Sequence, residues 1–228
     1  MIDFIRQINV FDPDVFKKPI HVIGAGATGS WCAFFLAKLG IKDITVWDFD
    51  IIEPHNLPNQ LYKPSDIGRP KVDALKDIIE DFTGITIKAM NEEVDGSTVL
   101  TGVVFLLTDT MVSRNNIFKE ALRFKPFVDL VIETRMDYNG GRIYTVNPMD
   151  VIQVNKYEET LYSDEEADVS GPSACGASQT IVATAVDIVA QAIWNFINYS
   201  NQEENYSEIL LDTQYKNLIT RKFERGDI

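Results

Sequence analysis

The sequence predicts an α/β fold, a mostly parallel sheet flanked by helices with an antiparallel extension in the C-terminal half, on three observations. Pro19 to Asp50 reads as one strand, glycine turn, helix, strand unit. Val103 to Leu107 is a continuous apolar run of the kind buried on both faces of a parallel sheet, and Phe127 to Ile132, broken only by Asp129, reads as another buried strand. Asn139-Gly140-Gly141, flanked by β-formers, signals a hairpin and therefore antiparallel strands.

In chain order, Ile2 to Val15 places Phe4, Ile5, Ile8 and Phe11 near one helical face ahead of Pro13, which suggests a short helix. Arg6 lies inside it and, taken alone, reads as a solvated charge. Ile20 to Ile23 are β-formers, and Gly24, Gly26 and Gly29 then fall on the spacing G-x-G-x-x-G. The first glycine permits the turn, the second lets backbone N–H groups approach a phosphate, and the third lets the helix lie close on the strand with its positive end toward the anion. Trp31 to Leu39 is nearly all apolar, as in a helix packed against a sheet, with Gly40 at its C-cap. Ile44 to Trp47 is the second strand, and Asp48 follows where the carboxylate of a Rossmann-like unit meets a ribose hydroxyl.

After Asp50 the chain stays irregular for about twenty residues, punctuated by Pro54, Pro58, Pro64, Gly68 and Pro70. Pro70 suits the start of a helix from Lys71 to Phe82. Lys71 therefore sits at a helix N-terminus, where the dipole disfavours a cation unless an anion joins it; the alternative is a surface lysine. Ile85 to Met90 forms a short strand, and Thr108-Asp109 closes the strand Val103 to Leu107. Asp48, Asp50 and Asp109 would all lie at the carboxyl ends of strands, where ligands of open α/β sheets gather. Three carboxylates would repel a polyphosphate, so at least one of them is expected to hold a divalent cation, and oxygen ligands suit magnesium. Asp109 could equally cap the following helix, Ser113 to Phe124.

Beyond the hairpin the sequence predicts a mobile crossover loop over 151–176, with the acidic stretch Tyr157 to Val169 at its centre. A long apolar helix from Ser178 to Tyr199 follows, then a strand at Ile209 to Leu211 and an amphipathic piece from Tyr215 to Arg225. The 228 residues, 45% hydrophobic, can bury about 70% of their unfolded surface and suit a single domain over 1–228, with 1–18 as an N-terminal segment. No apolar run approaches the roughly 20 residues that span a bilayer, and the N-terminus is unlike a signal peptide, so a cytoplasmic protein is expected. Cys32 and Cys175 form no C-x-x-C pair, which argues against zinc and against a disulfide framework. A net charge of −13 disfavours nucleic acid and anionic membranes and favours a protein partner.

The short motifs together make the chain resemble the ThiF/MoeB/HesA-type adenylyltransferases, relatives of the ubiquitin-activating enzymes. The family's R-Q-I stands as Arg6-Gln7-Ile8, its glycine loop as Gly24 to Ser30, and its D-x-D as Asp48-Phe49-Asp50. Its N-L-x-R-Q stands as Asn56-Leu57-Pro58-Asn59-Gln60, its G-x-P-K as Gly68 to Lys71, and its T-D-N with R-N as Thr108-Asp109-Thr110 and Arg114-Asn115. The resemblance implies ATP-dependent activation of a carboxylate, usually the C-terminal glycine of a ubiquitin-like or sulfur-carrier protein. It implies Asp48 on the ribose, Asn56, Gln60 and Lys71 on the nucleotide, magnesium on Asp109, and Arg6 reaching the phosphates of the other subunit of a homodimer. Two departures stand out: the loop arginine is Asn59, with Arg69 and Lys63 as substitutes, and the zinc-binding C-x-x-C pairs are missing. Cys175, after the crossover loop, is a candidate nucleophile of the kind related enzymes use, or else a small packed residue. The rival readings are a nucleotide-binding regulatory or scaffold module without turnover and, more remotely, an NAD-dependent oxidoreductase.

Overall fold

The computed structural model of the chain describes residues 2–137, 140–163, 179–213 and 215–224. Strands β1 (Ile20–Ile23), β2 (Ile44–Trp47), β3 (Lys88–Met90), β4 (Gly102–Leu106) and β5 (Val128–Met136) run parallel. Strands β6 (Gly140–Val146), β7 (Glu208–Asp212) and β8 (Asn217–Arg221) continue the sheet antiparallel, in the order β3-β2-β1-β4-β5-β6-β7-β8. The expected fold class is therefore the observed one, and the strand order reverses between β1 and β4, the crevice where ligands of such sheets bind.

The first face of the sheet carries Ile20, Val22, Val46, Phe105 and Ile132. Against it pack helices α1 (Gly29–Lys38), α2 (Lys71–Thr83) and the long α5 (Gln179–Ser200). Five-residue apolar strands such as Gly102–Leu106 are buried throughout because helices cover both sides. Opposite lies a smaller core of Ile23, Val104, Leu106, Val131 and Tyr144. It is covered by α3 (Met111–Ile117), which continues as one π-helical turn over Phe118–Leu122, and by α4 (Val151–Glu158). Gly40, at φ +95°, ends α1 in the left-handed conformation open to glycine.

Several expectations are corrected. Residues 5–10 and 13–15 form successive turns instead of a helix, anchored by Asp3 and Asp12 side chains that accept from the backbone N–H groups two residues on. Phe11 is buried there, whereas Ile5 is 72% and Ile8 48% exposed, so no common apolar face forms. The crossover loop does not start at 151: Val151–Glu158 is helical, with Asp150 as N-cap accepting from Ile152 and Gln153. Val154 and Tyr157, three residues apart, bury one side of that helix, which removes Tyr157 from the acidic stretch. Residues 164–178, with Cys175 and the centre of the acidic segment, lie outside the described residues. The last amphipathic piece is strand β8.

His21 of β1 is buried, and its Nδ1 accepts a hydrogen bond from Trp47 Nε1 at 3.1 Å, which fixes the neutral ring. Burial pushes its pKa below the ordinary 6.5, with Asp43 opposing the shift and Lys88 adding to it. The unfolded chain thus takes up this proton more readily than the folded one. Stability from His21 is present above the ordinary histidine value and is lost as pH falls from there through the depressed folded one. We expect the melting temperature to drop between pH 7.5 and 5.5, and His21→Gln, which accepts from Trp47 without titrating, to flatten that drop. An unchanged slope in the variant, measured by calorimetry, would remove His21 as its source.

Candidate functional site

The site is built around the turn after β1. Gly24 adopts φ +95°, and a Cβ there would stand 2.6 Å from the carbonyl oxygen of Leu107 on the neighbouring strand end. A Cβ on Gly29 would stand 1.9 Å from the Gly24 carbonyl oxygen, so α1 approaches β1 as closely as the third glycine of the motif allows. Gly26 differs: nothing lies within 4 Å of its absent side chain, and the turn is open toward solvent there.

The long segment after β2 is strapped to this turn. It contains two short 3₁₀ turns, Pro54–Asn56 and Pro64–Asp66, and is closed by a bridge between Ile51 and Pro70. Tyr62 donates its hydroxyl to the carbonyl of Ala25 at 2.7 Å. Ser30 Oγ donates to Gly26 and accepts from the N–H of Leu61, and Trp31 Nε1 donates to the carbonyl of Asn59 at 3.1 Å. Burial pushes the Tyr62 hydroxyl well above its ordinary pKa, helped by the Asp48, Asp50 and Asp66 carboxylates, so it stays a donor. Ser30 closes the glycine loop and Tyr62 lies in the long loop, but nothing local in the sequence signals that their hydroxyls join the two.

Asp48 at the end of β2 accepts from the N–H of Ala25 at 2.7 Å and of Asp50 at 2.8 Å. Burial nevertheless raises its pKa, with Lys71 and these two N–H groups opposing the shift. Lys71, 7% exposed, heads α2 and places Nζ 2.7 Å from Asp50 Oδ2. The anion that its place at a helix N-terminus calls for is thus supplied from within the chain. Asn56 is buried, its Oδ1 accepting from the N–H of Glu53. Asp109 is exposed beyond β4, and the cap of α3 is Thr110, which accepts from Ser113, so the alternative role of Asp109 as a cap falls away. Of the two substitutes for the missing loop arginine, Arg69 is held by Asp66 at 3.0 Å and by Asp77, and Lys63 lies 3.8 Å from Asp81. Arg6 is exposed on the N-terminal turns and is not brought to the others.

Four buried polar atoms at motif positions have no hydrogen-bond partner among the described residues: Gln60 Oε1, Thr108 Oγ1, Asn115 Oδ1 and Arg114 Nε. Such atoms are costly to bury unpaired and point to a missing partner. Below them Arg114 donates to the carbonyls of Thr108 and Thr134, and its Nε lies 3.0 Å from Glu133 Oε1, an ion pair too poorly angled for a hydrogen bond. Glu133, fully buried, also takes Arg135 Nε at 3.0 Å, and Arg135 continues to Thr160. Glu133 and Arg135 were missed, although a charged pair at a period of two inside an apolar strand is a legible signal. No three His, Cys, Asp or Glu side chains converge among the described residues, so a divalent cation here would rely on Asp109 together with ligand oxygens, an arrangement that suits magnesium.

The family model named ThiF family matches residues 6–224, nearly the whole chain. The chain belongs to the ThiF family. Among its relatives, molybdopterin-synthase adenylyltransferase of Escherichia coli is 27% identical over 130 residues, 51% of this chain and 52% of that protein. Ubiquitin-like modifier-activating enzyme 5 of Caenorhabditis elegans is 33% identical over 63 residues, 28% of this chain and 15% of that protein. The alignments thus span about half or less of these ThiF relatives. Escherichia coli MccB solved with ATP superposes with a TM-score of 0.68 at 14% identity, over 97% of this chain and 68% of that one. PaaA superposes with a TM-score of 0.66 at 18% identity, over 91% and 64%. At such identities the two structures establish the shared fold.

The glycine geometry separates two substitutions. Gly29→Ala should destabilise the chain by about 1–3 kcal/mol, the usual cost of forcing backbone apart in a packed site, whereas Gly26→Ala should leave the denaturation midpoint unchanged. Equal midpoints for the two variants in urea would show that α1 does not depend on that close approach.

Proposed function

We propose that this chain is an ATP-dependent adenylyltransferase that activates the C-terminal carboxylate of a ubiquitin-like or sulfur-carrier protein. The observation that carries the reading is Lys71, a buried ammonium delivered by the strapped loop beside Asp48 and Asp50 at the mouth of the glycine turn. A nicotinamide site has no use for it, and the ThiF relatives named adenylyltransferases and activating enzymes point the same way.

In this reading an oxygen of the partner's carboxylate attacks the α-phosphorus of ATP, the bond from that phosphorus to its β-bridging oxygen breaks, and pyrophosphate leaves. The N–H groups around Gly26 receive phosphate oxygens, and Asp48 keeps lone pairs for the ribose hydroxyls. Asn56 and Gln60 orient the nucleotide. Lys71, once a phosphate replaces Asp50 as its counterion, faces the charge that develops on the leaving group. Asp109 would hold magnesium, which supplies charge neutralisation on the phosphates. Arg6 would act from the second subunit of a homodimer, since its own subunit does not bring it to the site, and Cys175 stays a candidate acceptor thiol.

Asn59 favours a second reading. With the family's loop arginine absent and Arg69 occupied by Asp66 and Asp77, a nucleotide-binding module without turnover would look the same. Pyrophosphate exchange into ATP, assayed with candidate acceptor proteins from neighbouring genes, separates the two. We expect exchange, and Asp109→Ala and Lys71→Ala each to lower it by about a hundredfold with the fold intact, the second at a lowered melting temperature because Asp50 loses its partner. Gly26→Ala should weaken magnesium-dependent ATP binding, and Asn59→Arg should raise the exchange rate. ATP binding without exchange for every acceptor would establish the module instead.

Light scattering at micromolar concentration should give twice the chain mass, and mixing Arg6→Ala with Lys71→Ala subunits should restore part of the exchange by pairing one intact site. A monomer that turns over would dismiss a shared site.

A further inference from the structure

Asp109 is exposed beyond β4, yet the turn that carries it is tied to a carboxylate with no exposed surface, Glu133 of β5. The carbonyls on either side of Asp109 are both held by Arg114. Its guanidinium donates to that of Thr108, and its backbone N–H donates to that of Thr110 at 3.2 Å. The same guanidinium donates to the carbonyl of Thr134 on β5 at 3.1 Å, and its Nη1 lies 3.3 Å from Met111 Sδ. Its Nε stands 3.0 Å from Glu133 Oε1 as an ion pair. The ladder between β4 and β5 stops where Leu106 faces Glu133, so the Thr108 peptide lies beyond it and Arg114 carries the tie onward. The other cation on Glu133 leads elsewhere. Arg135 Nε donates to both carboxylate oxygens at 3.2 and 3.0 Å, and its guanidinium ends on the carbonyl and hydroxyl of Thr160, at 2.7 and 3.0 Å, just after α4.

We propose that Glu133 is a positioning residue for magnesium: acting through Arg114, it fixes the backbone on both sides of Asp109 and so the direction in which that carboxylate leaves the chain. The inference deepens the adenylation reading and rests on it, since only there does Asp109 have a cation to hold. A lone carboxylate on an exposed turn binds a divalent cation well only when its heading is set in advance, and groups that orient a metal ligand contribute about ten- to a hundredfold to metal affinity. The Thr110 cap of α3 secures only one side of Asp109, through its hydroxyl on the Ser113 N–H. The other side depends on the Arg114 guanidinium, and that guanidinium takes its heading from Glu133. Glu133 touches neither cation nor nucleotide in this arrangement. Its two arms are separable, because one ends at the turn around Asp109 and the other at Thr160.

Calorimetric ATP binding to the full chain, once with magnesium and once with a chelator, tests it, the ratio of the two affinities being the readout. Asp109→Asn sets the floor of that ratio. Glu133→Gln and Arg114→Lys should each shrink it about tenfold toward the floor, with the affinity in chelator held within about twofold. Arg135→Lys, on the other arm, should lower the melting temperature and leave the ratio at the wild-type value. If Glu133→Gln does not fold, Arg114→Lys decides, since it keeps a cation beside Glu133. A merely structural role for Glu133 would lower the melting temperature of all three variants without moving the ratio, and that result, or an equal shrinkage in Arg135→Lys, overturns the proposal while leaving the adenylation reading in place. A wild-type ratio no larger than that of Asp109→Asn would instead remove magnesium from Asp109, and this inference with it.

Discussion

The contact on which the structure depends is the approach of α1 to the turn after β1, where the Gly29 backbone sits against the carbonyl of Gly24. It lets the helix lie on the sheet at backbone distance, and that places Ser30 and Trp31 where they can hold the 51–70 segment. The segment in turn leads into α2, whose Lys71 meets Asp50 just beyond β2. A side chain at position 29 would act first on helix packing, next on the strap and only then on the site, so the chemistry is downstream of one missing Cβ.

The second organising feature is electrostatic. Buried charges are tolerated only when paired, and removing one partner of such a pair costs about 3–5 kcal/mol because the other is left uncompensated. Here a buried anion serves two cations, as in Arg114–Glu133–Arg135, or a buried cation is held by a half-exposed anion, as in Lys71–Asp50. The first arrangement joins α3, which carries Arg114, to β5 and to the chain just after α4. The ion pair of Lys71, at a helix N-terminus, with Asp50 thus holds the lysine in place just beyond β2.

Much of this was legible in the sequence. The strand, glycine, helix, strand unit, the buried runs and the hairpin fixed the sheet, because periods of two and of 3.6 and the turn demands of glycine are local properties. That Asp48, Asp50 and Asp109 lie beyond strand ends followed from the local strand reading, and Lys71 was read at the start of its helix. Where local reading failed, a distant partner had intervened. Tyr157 sits in an acidic stretch, yet it is buried because Phe118 and Tyr144, far away in sequence, provide a slot for it. The apolar spacing of Ile5 and Ile8 suggests a helix, yet Asp3 and Asp12 turn the backbone before one can form.

The sequence by itself determined the fold class, the ThiF motifs and the order in which the site residues appear, since each depends on neighbours within a few positions. Tertiary structure alone decided that Asp50 pairs with Lys71, that Arg69 pairs with Asp66 and Asp77, and that two arginines share Glu133 and two share Glu208. Those outcomes turn on which charge comes within about 4 Å of which other, a distance set by how strands and loops far apart in the chain are laid side by side.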